Sequence, residues 1–178
     1  MPQFFAFLRA INDGPGRVVK MNVLRQTFES LGFSGVATLL ASGNVVSETR
    51  AKDVGMLERK IERRLKQTLG YNVPVFIRTH AELKKIAALE FLEDSEIHGA
   101  DLNIILLADD LDERSKAELG SLTTPTDGFR VHGREVYWWR LKKPGTSLFS
   151  SVPLAKVICV PFAIRGTSTI RKLVAKWP

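Results

Sequence analysis

The chain is predicted to be an α+β protein of two ferredoxin-like halves, each with the order β-α-β-β-α-β. The second half is degenerate and closes with a C-terminal helix. Three observations predict this. Along residues 1–79 the apolar pattern switches between a period of two and a helical period in that order. Both helical stretches of this half stop at the same leucine-glycine-aromatic signal, Leu31-Gly32-Phe33 and Leu69-Gly70-Tyr71. The alternation then returns, more worn, in residues 101–178, after a connector at residues 80–100.

Residues 3–11 alternate and are rich in aromatics, which predicts the first strand. Gly14, Pro15 and Gly16 make the next stretch a loop. Met21, Leu24, Phe28 and Leu31 recur at helical spacing, and Phe33 stands where it can touch the helix just after the glycine stop. Residues 36–41 and 45–48 read as two strands joined at Ser42-Gly43-Asn44, a tight turn that glycine's access to positive φ favours. Val54, Leu57, Ile61, Leu65 and Leu69 form a second helical stripe. Residues 73–79 follow as a strand whose Pro74 suits a sheet edge. The connector holds a helix through Leu89 and then a polar, acidic loop. In the second half, residues 102–108 form a strand, residues 111–119 a helix ending at Gly120, and residues 128–131 and 135–141 a hairpin around His132-Gly133. Residues 147–160 have helical character, with Pro153 at the start or breaking them. Residues 162–165 make a short last strand, and residues 167–177 the closing helix.

A chain of 178 residues, 44% hydrophobic and 25% charged, is long enough to bury a core, and no apolar run reaches the length of a membrane span. The N-terminus lacks the basic start and long apolar stretch of a signal peptide. Cys159 is the lone cysteine, so no internal disulfide forms, and a reducing cytoplasm is the expected location. The net charge of +7 is uneven: +6 over residues 1–79, −7 over residues 80–120 and +8 over residues 121–178. A basic balance invites a polyanion partner but does not identify one.

Several of these stretches together resemble the bacterial domain of unknown function 1697 family. Leu8, Arg9, Ile11 and Asn12 match a strand end of the form Leu-Arg-Gly-Ile-Asn, with Ala10 in the glycine's place. Lys20-Met21, Leu31-Gly32-Phe33 and Ser42-Gly43-Asn44-Val45-Val46 are intact. Near the C-terminus Arg165, Thr169 and Lys172-Leu173 match, whereas Gly166 and Thr167 stand where the family has Asn and Trp. The resemblance spans nearly the whole chain. It implies the two-part α+β architecture and an uncharacterised bacterial protein with no established reaction.

Two candidate sites emerge. Arg9, Asn12, Lys20, Ser42 and Asn44 supply charge and orientable donors around the end of the first strand, and Arg165, with Arg171 and Lys172, extends the set from the C-terminus. They suit a small phosphate- or carboxylate-bearing ligand. A purely structural role competes, because Asn and Ser at turns commonly bond their own backbone. The alternative is a nucleic-acid-binding module that uses Arg59, Lys60, Arg63 and Arg64, a basic face opposite the second apolar stripe. Here the competing reading is a solvated helix face with Glu62 and Lys66 paired one turn apart. Base stacking on the sheet is not favoured, since the strand Asn44-Val45-Val46-Ser47-Glu48 offers no aromatic ring. A third reading is an interaction protein or homo-oligomer built on the consecutive rings of Tyr137, Trp138 and Trp139.

Catalytic and cofactor templates are missing. His80, His98 and His132 lack zinc-ligand spacing, and Gly14-Pro15-Gly16 is neither a dinucleotide fingerprint nor a P-loop, so no cofactor and no metal is expected. Asp109, Asp110, Asp112 and Glu113 sit at a helix start, where carboxylates cap free N–H groups. The sequence leaves open whether the protein is an enzyme.

Overall fold

The computed structural model describes residues 1–12, 17–39, 43–90, 92–93, 97–141 and 151–178. The chain divides into two compact units, Met1–Lys84 and Lys85–Pro178. The protein is mixed α+β, and its described residues form two four-stranded antiparallel sheets and six helices.

The first unit contains β1 (Gln3–Leu8), α1 (Met21–Glu29), β2 (Ser34–Leu39), β3 (Asn44–Glu48), α2 (Val54–Leu69) and β4 (Val75–Thr79), with sheet order β2-β3-β1-β4. α3 (His80–Ala88) begins here and leads into the second unit. Alternation along β1 decides both faces of the sheet. Phe4, Ala6 and Leu8 join Val45, Val75 and Ile77 under Leu24 and Phe28 of α1 and Leu57, Ile61 and Leu65 of α2. The opposite face carries Phe5, Phe7, Val46, Phe76 and Arg78, and these are buried as well. β4 is an edge strand, and Pro74 directly precedes it. Both glycine stops form as their chemistry dictates. Gly32 has φ +88° and Gly70 has φ +82°, and the rings of Phe28 and Phe33 lie 5.5 Å apart across the first.

The first strand is shorter than its alternation suggests. It ends at Leu8, because Ala10 and Asn12 adopt φ of +58° and +53° and turn the chain away. The last bonds holding it come from Leu8 N–H to the Gly43 carbonyl (2.8 Å) and from Arg9 N–H to the Pro74 carbonyl (3.0 Å).

The second unit contains β5 (Ala100–Leu107), α4 (Glu113–Ser121), β6 (Asp127–His132), β7 (Glu135–Leu141), α5 (Ser151–Val157), β8 (Phe162–Gly166) and α6 (Thr167–Lys176). Its sheet order is β6-β7-β5-β8. One face packs Ile105, Leu107, Val136, Trp138 and Phe162 against Leu111, Leu119, Leu154 and Ile158. Ile104, Leu106, Tyr137 and Ala163 are buried on the other face. α4 starts two residues later than the apolar pattern suggests, because the Asp112 side chain accepts the Ser115 N–H at 2.7 Å and fixes the first turn. Gly120 does not stop α4; it lies in its last turn. Pro153 sits in the first turn of α5, where a missing N–H costs least. Among the described residues no helix is long and apolar enough to cross a membrane.

Candidate functional site

The polar residues at the end of β1 have structural work. Asn12 grips the backbone of Val19 from both sides: Val19 N–H donates to Asn12 Oδ1 at 2.6 Å, and Asn12 Nδ2 donates to the Val19 carbonyl at 3.3 Å. This clamp sets the approach to α1. Asn44 is buried and donates through Nδ2 to the Leu39 carbonyl at 2.9 Å, which ties the β2–β3 hairpin. Gly43, at φ +78°, lies so close under Ile11 that an added Cβ would stand 2.5 Å from the Ile11 Cδ1. Arg9 is half-buried, and Lys20 is exposed at the start of α1 without a side-chain cap bond. Ser42, Gly14 and Gly16 lie outside the described residues. Arg165 belongs to the second unit, on β8.

Arg165 has a counterpart that sequence reasoning passed over. Arg165 donates through Nη1 to the carbonyl of Ile164 at 2.9 Å, and Arg78 donates in the same way to Ile77 at 2.8 Å. Each faces a residue of its unit's central first strand, Arg165 opposite Ile104 and Arg78 opposite Phe5. Arg78 is fully buried, and burial pushes the Arg165 guanidinium down to about 10. The signal was an Ile-Arg pair at the end of the last strand of each half, directly before a helix.

The basic residues of α2 line an open cleft of about 870 Å³. Its lining includes Lys52, Arg59, Lys60, Arg63 and Arg64, with Leu31, Met56 and Leu57 supplying apolar surface. Asp53, the acidic residue of that lining, is the N-cap of α2 and accepts the Met56 N–H at 2.9 Å. Arg59 folds back over Gly55, with Nη1 3.4 Å from the point a Cβ would occupy there. Lys60 donates to the Leu31 carbonyl at 2.9 Å, at the C-terminal end of α1, where a cation is favoured. Among the described residues Lys52, Arg59, Arg63 and Arg64 form no ion pair.

The carboxylates of α2 bond elsewhere and do not neutralise this face. Glu62 does not reach for Lys66; its Oε1 accepts the Val75 N–H at 2.9 Å. Glu58 accepts the Ile77 N–H at 2.8 Å, and Glu82 the Thr79 N–H at 2.7 Å. The outward N–H groups of edge strand β4 are therefore bound by side chains. The geometry fits because four helical residues advance about 6 Å and two strand residues about 6.8 Å. α2, running antiparallel to β4, thus matches successive carboxylates to alternate amides and leaves its arginines to the cleft.

The aromatic run of β7 is largely covered. Trp138 donates to Asp127 at 3.0 Å and stacks with Phe129, with ring centroids 5.8 Å apart. Tyr137 is buried, and Trp139 lies over Gly128.

A family model described as "Protein of unknown function (DUF1697)" matches residues 1–137. Comparison with curated proteins finds no match. Among solved structures, the conserved bacterial protein SP0830 from Streptococcus pneumoniae is similar, with a TM-score of 0.75 at 19% identity, covering 98% of this chain and 97% of that one. At that identity the likeness concerns the fold alone.

Proposed function

The chain belongs to the DUF1697 family, whose description names no activity, and on that premise we propose from its side chains that it binds nucleic acid through the phosphate backbone, in the cleft beside α2. One observation carries this reading: Lys52, Arg59, Arg63 and Arg64 line one cleft without ion-pair partners among the described residues. Unneutralised cations in a shared concavity focus a positive potential, and phosphate contacts at such a surface release condensed counterions. Contacts to phosphate position a strand without reading its sequence. The small-anion reading at Arg9, Asn12, Lys20 and Asn44 has less support, because both amides already hold backbone in place. We also read each unit as ferredoxin-like; the element order and the strand orders β2-β3-β1-β4 and β6-β7-β5-β8 support this.

The test is fluorescence anisotropy of a labelled mixed-sequence oligonucleotide across a salt series. Four phosphate contacts give a slope of log K against log salt of about −3. Arg63→Ala/Arg64→Ala flattens that slope by about 1.5 to 2. Absence of binding at low ionic strength, or an unchanged slope in the variant, overturns the reading.

A further inference from the structure

We propose that the cleft takes single-stranded rather than duplex nucleic acid, with phosphates on Lys52, Arg59, Arg63 and Arg64 and base faces against Met56 and Leu31. This rests on the nucleic-acid reading above and narrows it. Met56 is a large apolar side chain left 62% exposed, and it stands among the cations of the cleft. Duplex presents sugar and phosphate outward and keeps its base faces stacked inside, so it has no base face to lay on Met56. A single strand carries the same phosphates and offers unstacked base faces as well. The concavity argues the same way. A cleft of about 870 Å³ falls in the range that encloses small molecules, about 300–1,000 Å³, and admits a short run of one strand. The cations also follow a linear path. Arg59 and Arg63 stand one turn apart on α2, and Lys52 lies ahead of its first turn, so a threaded polyanion meets them in succession. An acidic amphipathic peptide shares this charge logic but lacks the flat faces that a lone thioether in a rim of guanidinium groups can cover.

The experiment compares fluorescein-labelled oligonucleotide of one sequence, single-stranded and annealed, at equal salt, for the full-length protein and for Met56→Ala. The single strand is expected to bind at least about tenfold tighter than the duplex. Met56→Ala is expected to weaken single-strand binding about fivefold, the worth of one or two buried methylenes, and to leave the salt slope and duplex affinity unchanged. Met56 is exposed, and Met56→Gln, which keeps its length, serves as the folding control by circular dichroism. Equal affinity for the two forms, or an unaltered Met56→Ala, overturns the single-strand assignment and leaves phosphate-backbone binding standing. Displacement of the strand by polyglutamate at matched charge overturns it in favour of an acidic protein partner. Failure of both oligonucleotide forms to bind removes the broader reading as well.

Discussion

Ala10 shows how much one methyl group decides. It occupies φ +58° at the turn leaving β1, in the place where the family pattern has glycine. A Cβ in the left-handed region costs roughly 1–2 kcal/mol, and glycine gives back about 0.4–1 kcal/mol through the freedom of the unfolded chain. Ala10→Gly should therefore stabilise the protein by up to about 1 kcal/mol, read as a higher urea midpoint with an unchanged m-value. Asn12 has the same sign of φ, yet its short amide is repaid by the clamp on Val19. Asn12 and Asn44 also mark the limit of reading single residues. Their types announced hydrogen bonding, but whether the bonds go to a ligand or to the chain depends on what folding brings within reach, and Val19 and Leu39 arrive first.

α2 is one helix with three stripes, and only two were legible in the sequence. Leu57, Ile61 and Leu65 announced the core side by their spacing, and Arg59, Lys60, Arg63 and Arg64 announced the basic side. The third stripe, Glu58 and Glu62, has its meaning only beside β4. Along the chain Glu62 and Lys66 are natural partners, and nothing local reveals an edge strand thirteen residues further on with bare N–H groups. Removing both acceptors should show their role. Glu58→Ala/Glu62→Ala leaves the Val75 and Ile77 amides unsatisfied at about 1–3 kcal/mol each, and should raise light scattering with concentration as the strand edge opens. Glu58→Gln/Glu62→Gln keeps an acceptor oxygen at each position and should lose much less. If the alanine variant matches wild type in urea midpoint and scattering, the bonds contribute nothing.

Across the whole molecule, charge divides differently from the way its sequence blocks suggest. Residues Met1–Lys84 hold 13 Lys/Arg against 7 Asp/Glu, and Lys85–Pro178 hold 13 against 12. The acidic block and the C-terminal basic block thus share a unit and nearly balance, while +6 of the +7 stays with the unit that contains the cleft. Retention on heparin should follow the cleft rather than net charge. Arg63→Ala/Arg64→Ala should elute at lower salt than Lys156→Ala/Lys172→Ala, although each removes two positive charges. Co-elution of the two would mean that bulk charge governs. The chain path of the first unit was readable because period-two and helical stretches alternate cleanly there and end at glycine. The second was harder, since Asp112 rather than the apolar pattern fixes where α4 begins, and Gly120 continues the helix it was expected to end. Arg78, the match of Arg165, was not legible because a charged residue late in a strand looks like a solvent-facing position until the register is known.

The bonds from Glu58, Glu62 and Glu82 have one more implication. With the outward N–H groups of Val75, Ile77 and Thr79 bound, the margin left to the described strands of the first sheet is β2, where the ladder to β3 slips between Ser34 and Ala37. A ribbon with a single usable margin can join one other and then has none left. Any backbone-mediated self-association of this half must therefore stop at a pair and cannot run on into a filament.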